Sequence, residues 1–140
     1  MPKAKQREKI LNEHREILDV VASVQSLLSG PAEELCAELE ELTLLLRPHF
    51  LSETESFLFR ELPTEQPRFA ERLARLEAEH TKFLETLEQT CHGLGRSGSA
   101  EVASDHRARI ESFLARLNRH EAEEREILMS AMYDDIGTNG

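Results

Sequence analysis

Six ionisable side chains occupy positions where a soluble helical protein normally places aliphatic residues. They are His14, His49, Glu53, His80, His120 and Glu124. Each glutamate follows a histidine by four residues, a spacing that puts both side chains on one helix face, about one turn apart. Burying such groups without partners is costly, so we expect them to bind something. Imidazole and carboxylate groups without thiolates are typical ligands of iron, manganese or zinc.

Four predicted helices carry these side chains. Apolar residues recur at spacings of three and four over about residues 5–28, 31–62, 66–94 and 100–132. Gly30-Pro31, the pair Pro63 and Pro67, and the Gly- and Ser-rich stretch 93–99 separate the helices. The predicted fold class is therefore all-α, an up-down-up-down four-helix bundle, because short connections favour antiparallel neighbours. Pro48 predicts a kink in the second helix, just before His49.

The predicted bundle brings the six groups to one level. With a rise of about 1.5 Å per residue, the four histidines lie roughly 14 to 21 Å from the same end of the bundle. Both glutamates lie one turn nearer that end. A single histidine in an apolar seam is usually a hydrogen-bonded core residue, but four at one level with two glutamates favour a metal site. Two carboxylates between two sets of imidazoles predict a carboxylate-bridged dinuclear site.

This arrangement resembles the hemerythrin-like, or HHE cation-binding, family over nearly the whole chain. The resemblance depends on His14, on HFLSETESFLF from His49 to Phe59, on AEHTKFL from Ala78 to Leu84, and on RHEAEEREIL from Arg119 to Leu128. It implies a four-helix bundle that holds two non-heme iron ions, Fe²⁺ or Fe³⁺, bridged by two carboxylates and an oxo or hydroxo group. It also implies that the iron ligands include His14, His49, Glu53, His80 and His120.

Two positions depart from the pattern of the oxygen carriers in that family. Leu76 stands where carriers have a second histidine, four residues before His80. Arg125 stands where carriers have a bridging aspartate, and Glu124 is the replacement. The missing histidine leaves a coordination position for water, a substrate or another carboxylate, and Glu77 is a candidate because Glu-x-x-His places it near His80. An additional open position favours redox reaction over reversible oxygen carriage.

Two functional hypotheses follow from these residues. The first is a di-iron protein that binds or reacts with dioxygen or peroxide, so that its partner is a small diatomic or peroxide ligand. Catalase-like peroxide decomposition, oxygen or nitric oxide sensing, and iron handling all fit this hypothesis. The alternative is a non-enzymatic module that holds iron or zinc for storage or structure.

Composition limits the remaining classes of function. The net charge of −10 disfavours nucleic acid as a partner, because phosphates attract Lys and Arg. The longest apolar runs, such as Leu44 to Leu46, are too short to span a membrane. No signal peptide is apparent, so a cytoplasmic location is expected. We predict one hemerythrin-like bundle over residues 1–133 and a flexible tail over residues 134–140, in a monomer or weak homo-oligomer.

Overall fold

The computed structural model describes residues 2–96 and 104–139, and the side chains of residues 2–94 and 104–132. The helices are α1 (Lys3–Leu27), α2 (Ala32–Glu55), α3 (Phe57–Arg60), α4 (Leu62–Glu65), a 3₁₀ helix (Pro67–Phe69), α5 (Ala70–Arg96) and α6 (Ser104–Asn139). The long helices α1, α2, α5 and α6 each pack against the next in chain order, and α6 packs back against α1. The predicted all-α four-helix bundle is confirmed. Within the described ranges, every helix is too short or too polar to be a membrane span.

The first connection follows the predicted chemistry. The Gly30 amide donates to the Leu27 carbonyl at 3.0 Å, which closes the turn after α1. Pro31 then precedes α2, where its fixed φ suits the start of a helix. Glu33 and Glu34 lie in the first turn of α2, where carboxylates interact favourably with the positive end of the helix dipole.

The second predicted helix differs from the structure in its length. α2 continues through Pro48 and ends at Glu55, whereas the apolar pattern predicts a single helix to Leu62. The break is at Ser56, whose hydroxyl donates to the Glu53 carbonyl at 2.6 Å and accepts from the Leu58 amide at 3.3 Å. Serine therefore ends one helix and caps the next, because its side chain competes with the backbone for hydrogen bonds. The apolar pattern does not detect this local competition.

The last two helices differ from the prediction at their ends. α5 begins at Ala70, after the 3₁₀ helix, and continues to Arg96 into the predicted loop. The rest of that loop lies outside the described residues. α6 continues to Asn139, beyond its predicted end at Met132. That end was predicted from the polarity of the following residues, but polarity does not stop a helix as Pro or a capping motif does.

The buried core consists of two apolar clusters along the bundle axis. One contains Ile17, Leu46, Phe83 and Leu117, and the other contains Ile10, Phe57, Leu76 and Ile127, each with their neighbours. On α1, α5 and α6, the predicted ionisable residues lie between a member of one cluster and a member of the other. On α2 they follow Leu46 of the first cluster, and Phe57 of the second cluster comes next, at the start of α3. The bundle therefore has a polar layer enclosed between two apolar cores.

Candidate metal centre

Seven ionisable side chains meet in this polar layer. They are His14, His49, Glu53, His80, His120, Glu121 and Glu124, and each is at most 6% exposed. α1 and α5 supply one histidine each, α2 supplies a histidine and a glutamate, and α6 supplies the other three residues. The structure thus brings together all six residues of the predicted layer and adds Glu121.

The donor atoms form two groups that share Glu124. We call them the His14 group, which is His14, His49, Glu121 and Glu124, and the His80 group, which is Glu53, His80, His120 and Glu124. Within each group, one ligand atom from every residue lies within 4.8 Å of the others. Two neighbouring groups of buried imidazoles and carboxylates are suitable for a di-metal site.

Glu53 and Glu124 extend between the two groups. Glu53 places Oε2 at 3.2 Å from His14 Nε2 and Oε1 at 3.5 Å from His80 Nε2. Glu124 places Oε2 at 3.5 Å from His14 Nε2 and Oε1 at 3.6 Å from His80 Nε2. Each carboxylate presents one oxygen to each group, which is the arrangement that a bridging ligand requires.

The layer contains more buried polar atoms than the protein's own hydrogen bonds satisfy. Among the described residues, no hydrogen-bond partner is found for Nε2 of His49, His80 or His120, or for either carboxylate oxygen of Glu121 and Glu124. Three carboxylates surround His14 Nε2, although a nitrogen of this kind carries only one hydrogen. Buried polar groups are normally paired. Cations between these donors would satisfy them, so the residues present fit a metal centre.

Without a metal, the carboxylates favour the protonated form of His14, His49 and His120. Burial lowers the pKa of His14, but the nearby carboxylates of Glu121, Glu124 and then Glu53 outweigh burial and raise the pKa to about 12. For His49, Glu13 and Glu53 outweigh burial and raise the pKa to about 10. For His120, Glu124 outweighs burial and raises the pKa to about 9. A binding cation therefore displaces protons from this site.

The two bridging carboxyl groups have opposite pKa shifts. Complete burial, followed by repulsion from Glu124, raises the pKa of Glu53 to about 8. Burial acts in the same direction on Glu124, but its close contacts with Glu53 and then His120 hold its pKa well below the usual value. Without a metal, Glu53 is therefore the more readily protonated of the two carboxylates.

Two other glutamates lie at the outer nitrogens of site histidines. Glu13 Oε1 is 3.5 Å from His49 Nδ1, and Glu79 Oε1 is 3.1 Å from His120 Nδ1. Each acts from the neighbouring helix, and each directly precedes a site histidine in the sequence. A carboxylate at Nδ1 fixes the ring tautomer and leaves Nε2 free as a ligand. The repeated Glu-His dipeptide is the only sequence signal for this role.

Glu121 and Glu77 are placed differently from the sequence prediction. Glu121 follows His120 directly, and the helical pattern predicts that it lies on a solvated face, with only Glu124 in phase with the seam. Residues three apart on a helix are also neighbours, so Glu121 shares a face with Glu124. Glu77 is exposed, and the structure does not bring it into the layer. It follows Leu76, which is fully buried, and is therefore turned towards solvent.

Aromatic rings enclose the His80 group. Phe50 stacks on His80 with ring centroids 4.1 Å apart, and Phe59 contacts the same histidine edge-on at 5.5 Å. Phe83 lies edge-on to His120 at 5.1 Å. These rings exclude water and lower the local dielectric, which strengthens every charge interaction inside.

A surface pocket of about 270 Å³ approaches the His14 group from between α1 and α6. Its lining includes Leu11, Arg15, Leu18, Arg125 and Met129, and it ends at the ring of His14. That histidine is only 1% exposed, so the ring separates the pocket from the donor atoms behind it.

A model of one protein family matches this chain. The Hemerythrin HHE cation binding domain matches residues 5–132, which is most of the sequence. The chain therefore belongs to the hemerythrin HHE cation-binding family. No curated protein and no solved structure gives a significant match.

Proposed function

We propose that this HHE domain holds two iron ions and reacts with dioxygen or peroxide. One observation carries the proposal: two buried groups of imidazoles share bridging carboxylates, and a leucine occupies the place of a further ligand. Imidazole and carboxylate donors without thiolate suit iron. When bound, iron supplies one-electron redox chemistry between Fe²⁺ and Fe³⁺.

In this proposal, each side chain of the layer has one task. His14, His49, His80 and His120 would hold the ions through Nε2, and Glu53 and Glu124 would be shared between them. Glu79 accepts the Nδ1 hydrogen of His120 and so fixes the orientation of that ring, while the Glu13 carboxylate lies 3.5 Å from Nδ1 of His49. Phe50, Phe59 and Phe83 exclude water from the surroundings of the His80 group.

Leu76 is the residue that favours a reactive metal site over a site that only stores metal. It is 0% exposed and lies one turn before His80 on α5. An aliphatic side chain offers no donor, so one coordination position beside His80 is left to water or to an added small molecule. A site built only to hold a metal has no need for such a position.

The test is decomposition of hydrogen peroxide by the iron-reconstituted protein, followed as peroxide loss and oxygen release in the ratio of two to one. The zinc-reconstituted protein is the control, because zinc has no redox chemistry. We expect turnover only with iron. If the iron protein retains its metal but reacts with neither peroxide nor dioxygen, the chain is the non-enzymatic metal-binding module instead.

A further inference from the structure

The two donor groups are unequal, and Glu121 causes the difference. Each group contains two imidazoles, and Glu124 belongs to both. Glu53 belongs to the His80 group, but its Oε2 also lies 3.2 Å from His14 Nε2. Three carboxylates, those of Glu53, Glu121 and Glu124, therefore lie within 3.5 Å of His14 Nε2, whereas among the described residues only Glu53 and Glu124 form ion-pair contacts with His80 Nε2. The residue one turn before His80 on α5 is the buried, aliphatic Leu76.

The position of Glu121 identifies which group it serves. Its Oε2 lies 2.7 Å from His14 Nε2 and 3.8 Å from His49 Nε2. Across residues 2–94 and 104–132, no ion-pair contact joins Glu121 to His80 or His120. The carboxylate is 1% exposed, so solvent does not satisfy it.

We propose that Glu121 is a terminal ligand of the ion held by His14 and His49, and that the ion held by His80 and His120 accepts the external ligand. The second part rests on the proposed function, since it names the half of the site where a small molecule binds. The first part concerns metal binding alone.

A hydrogen-bonding role with His14 does not account for the geometry of Glu121. One carboxylate would suffice to pair a protonated imidazole, yet Glu53 and Glu124 also lie within 3.5 Å of His14 Nε2. Burying an additional carboxylate without a counter-charge is strongly unfavourable. A cation in the His14 group removes that cost and uses all three oxygens.

The surroundings of the His80 group favour a small uncharged or weakly polar ligand. Phe50 and Phe59 cover the His80 ring, and Leu76 continues the same apolar wall one turn away. The pocket beside Arg15 and Arg125 reaches His14, but that histidine is only 1% exposed.

The first experiment measures zinc binding to metal-free protein by competition with a chromophoric chelator. The variants are Glu121→Ala and the near-isosteric Glu121→Gln, with Glu77→Ala as the matched control, since Glu77 is an exposed glutamate on α5. We expect two ions in wild type and Glu77→Ala. In both Glu121 variants one of the two ions should bind at least about tenfold more weakly, the lower end of the effect of losing a supporting carboxylate.

Circular dichroism separates loss of a ligand from loss of fold, and the glutamine variant preserves side-chain volume if the alanine variant unfolds. Wild-type affinity for both ions in folded Glu121→Gln and Glu121→Ala would overturn the assignment. Weaker zinc binding by Glu77→Ala than by Glu121→Ala would also overturn it, because the additional carboxylate ligand would then be Glu77, on the His80 side of the site. Neither result depends on iron or on peroxide turnover. Failure of this ligand assignment is therefore distinguishable from failure of the proposed function.

The second experiment locates the external ligand with azide as the probe on the iron-reconstituted protein. Leu76→His adds a donor one turn before His80, and Ile10→His adds one at the equivalent place before His14. Both positions are buried at 1% exposure or less. We expect Leu76→His to weaken azide binding at least about tenfold and Ile10→His to leave it within about twofold. The reverse pattern in two folded, iron-replete variants would overturn the assignment of the open half.

Discussion

Replacing Glu79 with glutamine tests whether the outer carboxylates support the metal centre. Glu79 Oε1 lies 3.1 Å from His120 Nδ1, and glutamine keeps the shape of the side chain but removes its charge. Loss of such a partner typically weakens metal binding by about 10- to 100-fold. The Glu79 side chain is 32% exposed, so solvent partly screens its charge. We therefore expect the low end of that range, about tenfold.

The assay is zinc affinity by chelator competition, with Glu77→Gln as the control because Glu77 is two positions earlier on the same helix and is exposed. Glu13→Gln should have a smaller effect than Glu79→Gln, because its oxygen is 3.5 Å from His49 Nδ1. The reasoning would be refuted if Glu79→Gln bound zinc as tightly as the control. It would also be refuted if the effect of Glu13→Gln exceeded that of Glu79→Gln.

Three further predictions follow. His49→Ala and His120→Ala should each lose metal and melt at a lower temperature. His92→Ala should change neither property, because His92 is exposed. Equal metal content in all three variants, measured by elemental analysis, would reject the ligand assignment. Leu76→His slows peroxide decomposition by the iron protein in stopped-flow measurements, and an unchanged rate would place the open position elsewhere. The melting temperature of the metal-free protein should fall as the pH rises from 6.5 to about 9. The fold raises the pKa of His120 to about 9, so protonated His120 stabilises the folded state. That contribution is complete below pH 6.5 and is lost as His120 deprotonates. Metal-bound protein, whose histidines are neutral ligands, should show no such decline in scanning calorimetry.

The site residues that sequence predicted are those in phase with the apolar seam of their own helix. His14, His80 and Glu124 each replace an aliphatic residue at a regular spacing, so the pattern that predicts the core also identifies them. Because the four helices are antiparallel and of similar length, the position of each histidine along its helix also predicts that they meet at one level. Helix periodicity and length therefore suffice for this part of the site.

The residues that sequence did not predict depend on contacts between helices. Glu121 is adjacent to a seam position, and its burial is set by how closely α6 approaches α1. Glu13 and Glu79 remain partly exposed, and their role depends on a histidine of the neighbouring helix. The pattern within one helix contains no information on the rotation of its neighbour, so these three glutamates resemble solvated surface residues.

Helix ends were also predicted less well than helix cores. The break at Ser56 depends on two hydrogen bonds of a single hydroxyl, inside a run of residues that otherwise continues the helical pattern. This break affects the metal centre directly, because the Ser56 hydroxyl donates to the backbone carbonyl of Glu53 at the end of α2. The bridging carboxylate thus comes from the last turn of a helix, not from its middle.

The most direct test of the di-metal site is the metal content of the iron-reconstituted protein together with the metal–metal distance from X-ray absorption spectroscopy. The two donor groups and the carboxylates between them predict two iron ions per chain, about 3.5 Å apart, near the usual spacing of dinuclear sites. One ion or none per folded chain, or two ions with no metal neighbour at that distance, would contradict the assignment.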